Sequence, residues 1–185
     1  TDAFSSMPVQ PFSHWAIHLV GPMPKSRAGN EWLVTWVDRT SKMIVAAAAK
    51  TGLSSGRHLA DLTFKEICCR FGIPLKLTHD NDVRFKHLWR DIFRRVGTKI
   101  SCTSAFNPQS DPAERANRQV LEALRAAVET VHQFEEWDQA LPHVCFGLNN
   151  SVSSATGVSP FELAHRFPAR TPPPGVGAPP APPRA

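Results

Sequence analysis

Apolar side chains fall into short blocks along the chain, and the spacing within each block changes with the element it predicts. Three compact apolar runs come first, at 15–20, 32–38 and 42–49. The link between the first two, from Pro22 to Asn30, is rich in turn formers, and the link from Asp38 to Ser41 is short enough for a hairpin. The runs therefore predict an antiparallel three-strand start. From Ser54 the period lengthens: Phe64, Ile67, Cys68 and Phe71 fall at helical spacing, and Gly72 with Pro74 closes the segment. Leu75–His79 reads as a fourth strand. Phe85, Leu88, Trp89, Ile92, Phe93 and Val96 then mark a second helix that ends at Gly97. Lys99–Thr103 reads as a fifth strand. Asp111-Pro112-Ala113-Glu114 opens a long helix to about Val131, with proline at its first position. A further helix is expected over Phe134–Asn149, interrupted at Pro142.

The resulting order is βββαβαβα with additional C-terminal helices, an α/β arrangement. Residues 1–13 read as an extended lead-in and 14–170 as one domain. In the segment 171–185, 7 of 15 residues are proline. That composition cannot build a packed core, so a disordered or polyproline-like tail is expected.

A chain of 185 residues with 42% apolar content suits a single core. Twenty-one Lys and Arg against 16 Asp and Glu give a net charge of +5, an excess that suits a polyanionic partner and equally a solvated basic surface. Cysteines at 68, 69, 102 and 145 have no C-x-x-C spacing and are expected as reduced thiols packed in the core. No apolar run reaches the length that spans a bilayer, and the first residues carry neither part of an export signal. A nuclear or cytoplasmic location without a membrane partner is expected, and the chain, which begins at Thr1, reads as a segment of something longer.

Two acidic positions stand out by location. Asp80 directly follows the fourth strand, where such a fold presents ligating groups, and Glu114 lies in the first turn of the long helix. Each has a structural alternative. Asp80 or Asp82 can cap the following helix, and Asp111 with Glu114 forms a capping box. A third position breaks its pattern, because His18 interrupts the apolar first strand just before Gly21 and Pro22.

Taken in order, several blocks change the weight of these positions. They are Leu19-Val20-Gly21-Pro22-Met23-Pro24, Val37-Asp38-Arg39-Thr40-Ser41-Lys42-Met43, Asp80-Asn81-Asp82-Val83-Arg84-Phe85, Asn107-Pro108-Gln109-Ser110-Asp111 and Glu114-Arg115-Ala116-Asn117-Arg118. Trp137, Leu141-Pro142, Asn149-Asn150 and Thr156 to Leu163 continue the series. From about Phe12 to Arg170 the chain resembles the integrase catalytic core of gypsy-type LTR retrotransposons. The resemblance implies a ribonuclease H-like fold with a five-stranded mixed sheet flanked by helices. It also implies DNA integration by 3′-end processing and strand transfer, with element ends and target DNA as partners and a homo-oligomeric assembly.

In that family three carboxylates hold two Mg²⁺ or Mn²⁺ ions, which stabilise the attacking and leaving oxygens at phosphorus. Asp80 matches the second carboxylate and Glu114 the third, with 33 residues between them. The first carboxylate's place is occupied by His18, whose single, softer nitrogen suits Zn²⁺ or Mn²⁺ better than Mg²⁺. By the same resemblance Asn117 and Arg118, one turn beyond Glu114, together with Asn107 and Gln109, are expected to meet DNA. Arg84, Lys86, Arg90, Arg94 and Arg95 read more readily as a solvated helix face. Two rival functions share the fold: a non-catalytic DNA-binding or subunit-assembly module, and a ribonuclease H proper.

Overall fold

In a computed structural model of the chain, the described residues are 10–50, 56–80, 85, 93–94, 96–102, 112–131, 134–154 and 156–171. Five strands form one sheet: β1 (His14–Val20), β2 (Asn30–Asp38), β3 (Ile44–Lys50), β4 (Lys76–His79) and β5 (Lys99–Cys102), in the spatial order β3-β2-β1-β4-β5. The pairs β1–β2 and β2–β3 are antiparallel, whereas β1–β4 and β4–β5 are parallel. This is the expected mixed sheet, with β1 at its centre.

The central place of β1 explains its unbroken apolar run, since both of its faces are covered. Trp15, Ile17 and Leu19 point into one core with Val34, Trp36, Leu59, Ile67 and Leu77. Ala16 faces the other way, into a second core with Leu33, Val37, Ala116, Val120, Leu124, Trp137 and Leu141. His18 has the parity of Ala16 and therefore projects toward this second layer.

The first layer rests on α1 (Gly56–Thr63), which continues through a π-helical turn (Phe64–Cys68) into a last helical turn (Cys69–Phe71). Gly72 stops it with φ +90°, a left-handed backbone that a side chain would resist. Leu59, Ala60, Thr63, Ile67 and Cys68 are buried, and Thr63 accepts a hydrogen bond from Trp36 Nε1 at 3.1 Å. Phe64, expected on the apolar face, is instead 46% exposed.

The second layer is α2 (Pro112–Val131), α3 (Trp137–Asn150, preceded by the 3-10 turn Phe134–Glu136) and α4 (Pro160–His165). Contrary to the expected interruption, α3 runs unbroken through Pro142. The lost hydrogen bond and ring clash cost about 3 kcal/mol in a helix interior. Here Pro142 is exposed while Trp137, Leu141, Val144 and Asn149 are buried around it, and that burial holds the helix together. The helix predicted over 85–96 lies mostly outside the described residues, as do 1–9 and 172–185 of the lead-in and tail.

Two polar side chains fix the edges of this framework. Asp38, fully buried at the end of β2, accepts hydrogen bonds from Phe12 N (3.0 Å), Ser41 N (2.8 Å) and Ser41 Oγ (2.6 Å), and so pins the β2–β3 turn. Asn149 reaches from α3 to edge strand β3, accepting from Ile44 N at 2.8 Å and donating to Ile44 O at 2.7 Å.

Thiol placement differs from expectation. Cys68 is buried and Cys145 half-buried, but Cys69 and Cys102 are exposed, and all four are free. Burial, with Cys69 adding, pushes the Cys68 thiol up to about 11, and burial does the same for Cys145. Neither is a thiolate near neutral pH. No helix among the described residues is long and apolar enough to cross a membrane.

Candidate active site

Strand register brings the first two candidate residues together. On the parallel strands β1 and β4, Ile17 pairs with His79, so the next step places His18 beside Asp80 on the same face. The side chains meet there: His18 Nδ1 lies 3.5 Å from Asp80 Oδ2, with the side chains 25% and 35% exposed. That separation is an ion-pair distance and longer than a good hydrogen bond. The preceding His79 is buried, contacts the Asp80 carbonyl through Nδ1, and stacks on Phe85 with ring centroids 4.6 Å apart. The segment that delivers Asp80 is thereby anchored from beneath.

The third candidate arrives on α2. Across the sheet His18 pairs with Thr35 of β2, and Thr35 Oγ1 donates to Asn117 Oδ1 at 3.3 Å. Asn117 therefore seats the first turns of α2 above the strand pair that carries His18. Only 7% exposed, it is turned into the fold, because the buried Thr35 hydroxyl needs a polar partner. Glu114 shares its helix face one turn earlier and is exposed. Arg118, also exposed, lies 4.0 Å from Glu122. Arg94 is exposed as a solvated face requires, while Asn107, Gln109, Asp111, Arg84, Lys86, Arg90 and Arg95 lie outside the described residues.

The donor set does not fit a pair of hard divalent ions. Such ions call for several convergent oxygens, whereas this cleft joins one imidazole to one carboxylate. Among the described residues no three His, Cys, Asp or Glu side chains converge as metal ligands. Asp38 cannot substitute, since its Oδ1 accepts from Phe12 N and its Oδ2 from Ser41 in the β2–β3 turn. The Thr35–Asn117 link escaped sequence reasoning. Its signal, a threonine at an inward position of an apolar strand, shows only once the register is known.

Comparison with known proteins bears on both sequence and fold. No protein-family profile matches the chain. The Tf2-3 and Tf2-4 transposon polyproteins of Schizosaccharomyces pombe are each 27% identical over 159 residues, which cover 85% of this chain and 12% of the polyprotein. The chain thus spans about an eighth of the length of the curated relatives it matches. Among solved structures, the simian T-cell lymphotropic virus intasome in complex with PP2A regulatory subunit B56 gamma superposes with a TM-score of 0.72 at 18% identity, covering 90% of this chain and 58% of the other. The HTLV-2 integrase catalytic core domain in complex with magnesium (trimeric form) gives 0.69 at 18% identity, over 86% of this chain and 100% of that one. The BIV integrase catalytic core domain gives 0.65 at 20% identity, over 83% and 94%. With Tf2 retrotransposon polyproteins as its sequence relatives and integrase catalytic cores as its structural neighbours, the chain resembles the former in sequence and shares the ribonuclease H-like fold of the latter.

Proposed function

We propose that this domain engages DNA in the manner of an integrase core, and that 3′-end processing and strand transfer by this chain are impaired through His18. The reaction of the proposed lineage is in-line displacement at phosphorus, first by water and then by the freed 3′ hydroxyl. In each step a new P–O bond forms as the P–O3′ bond breaks. The observation that carries the reading is the meeting of His18 Nδ1 with Asp80 Oδ2 at 3.5 Å, where the family resemblance puts two carboxylates. An imidazole there offers one nitrogen where a carboxylate would offer two oxygens, so Asp80 and Glu114 would be left to hold the Mg²⁺ or Mn²⁺ that would supply Lewis acidity. Losing even an outer partner of a metal ligand costs roughly 10- to 100-fold in affinity, and a direct ligand is worth no less.

Likeness to retrotransposon polyproteins and integrase cores supports DNA as substrate and assembly with further copies. The non-catalytic alternative, a DNA-binding or assembly module, draws on the same histidine. The test is cleavage and joining of labelled element-end duplexes with Mg²⁺ or Mn²⁺. The unaltered chain is expected to show little turnover, His18→Asp to gain it, and His18→Asp with Asp80→Asn to lose it again. Efficient Mg²⁺-dependent joining by the unaltered chain would refute the impairment. No gain in either metal binding or turnover on His18→Asp would favour the non-catalytic module.

A further inference from the structure

At the opposite end of β1 from His18, basic side chains line up across four strands. Arg39 N donates to His14 O at 2.8 Å, which continues the β1–β2 pairing one step beyond Trp15 and Asp38. His14 pairs in register with Lys76, and Lys76 with Lys99. Arg39, His14, Lys76 and Lys99 therefore form one row, three inter-strand steps or about 14 Å long. Exposed Lys42 lies beside it in the β2–β3 turn, its Nζ donating to Arg39 O at 2.6 Å.

Pleating puts this row on the same sheet face as the candidate active site. His14 Nε2 meets Thr78 Oγ1 at 2.7 Å and Thr78 Oγ1 meets Ser101 Oγ at 3.2 Å, so the β1, β4 and β5 side chains of this parity share a surface. His18 and Asp80 stand four residues further along β1 and β4, about 13 Å away. Over this face α2 packs on β1 and β2, and α3 on β3, while β4 and β5 receive the main packing of neither.

The row has no acidic partner among the described residues. None of Arg39, Lys42, Lys76 and Lys99 joins the ion pairs found there, and the nearby Asp38 is buried and committed to its turn. The His14 imidazole registers the resulting field. Burial first, then Lys76, Arg39 and Lys42, lowers it from 6.5 to about 4. Four cations without an ion pair among the described residues, placed this closely, raise the local potential, a costly arrangement in isolation and a favourable one beside a polyanion.

We propose that this row is a second nucleic-acid contact, which holds the phosphate backbone of the strand whose reacting segment lies at His18 and Asp80. It rests on the DNA-engaging function proposed above. The 13 Å between row and site corresponds to about four nucleotides of one strand at 3.4 Å per charge. A protein partner with an acidic segment would also be attracted, but continuity with the candidate active site along one sheet face favours the nucleic acid.

The experiment measures binding of the full chain to a fluorescent duplex as a function of salt. Each lost phosphate contact lowers the slope of log K against log salt by about one, so Lys76→Gln with Lys99→Gln should lower it by about two and weaken binding alike for all sequences. Lys76→Arg with Lys99→Arg should keep the parental slope. A melting temperature equal to the parent's shows that the fold is intact. If the double glutamine variant is unstable, exposed Lys99→Gln alone should lower the slope by about one. Parental slope and affinity in the glutamine variants would overturn the row while leaving the DNA reading in place, whereas no duplex binding by the parent would overturn that reading itself. Equal displacement of DNA by poly-glutamate per unit charge would assign the row to an acidic protein and overturn the proposal.

Discussion

Replacing His18 by Asp should make the stability of the domain depend on divalent metal, and the size of the effect follows from the site. His18 and Asp80 lie 3.5 Å apart with 25% and 35% of their side chains exposed. An aspartate at 18 would set one carboxylate against another at a similar separation. Two like charges at about 4 Å repel by ~1 kcal/mol in bulk water and ~4 kcal/mol at the effective dielectric of a protein surface. The partial exposure of both groups places this site between those limits. For a domain of this size, each kcal/mol is worth roughly 2–4 °C in Tm. His18→Asp without metal should therefore melt several degrees below the unaltered chain. Mg²⁺ at about 100 times its Kd should return ~2.7 kcal/mol, offsetting most of the loss. Calorimetry of both chains, with chelator and with Mg²⁺, reads these terms directly. A Mg²⁺-induced rise as large in the unaltered chain as in His18→Asp would refute the reasoning, as would a variant no less stable in chelator and indifferent to metal.

Two further predictions concern the framework. His14 is lowered from 6.5 to about 4 by burial first and then by Lys76, Arg39 and Lys42. The unfolded chain binds the extra proton between these values, so stability is complete above pH 6.5 and is lost as pH falls toward 4. The loss is ~1–2 kcal/mol after discounting for solvent screening of a half-exposed group, and His14→Gln should flatten this part of a urea-melt pH profile. Asn149→Ala strands the N–H and C=O of Ile44 at the β3 edge. At ~1–3 kcal/mol for each of the two unsatisfied groups, the total is ~2–6 kcal/mol, and a urea-denaturation change below 0.5 kcal/mol would show that water replaces the amide.

The sequence by itself determined the order of elements, because a strand's alternation and a helix's three-to-four spacing are local properties. β1, β2, β3 and the body of α2 follow from apolar position and turn chemistry within a few neighbours, whereas the mixed sheet was implied only by the family resemblance. Asp80 and His18 were legible for the same reason, as polar residues at the end and in the middle of apolar strands.

Tertiary structure decided what depends on partners distant in sequence. Thr63 took an inward place in α1 while Phe64 turned outward, since the face is set by how the helix lies against the sheet, where Thr63 meets Trp36. Pro142 stayed within α3 because burial on both sides of it outweighs one lost hydrogen bond. Asn117, expected at DNA, turned inward to satisfy Thr35, 82 residues away. Sheet register alone set His18 against Asp80 and lined Arg39, His14, Lys76 and Lys99 into a row. Register is a relation between strands far apart in the chain, and no local pattern of side chains encodes which residue stands opposite which.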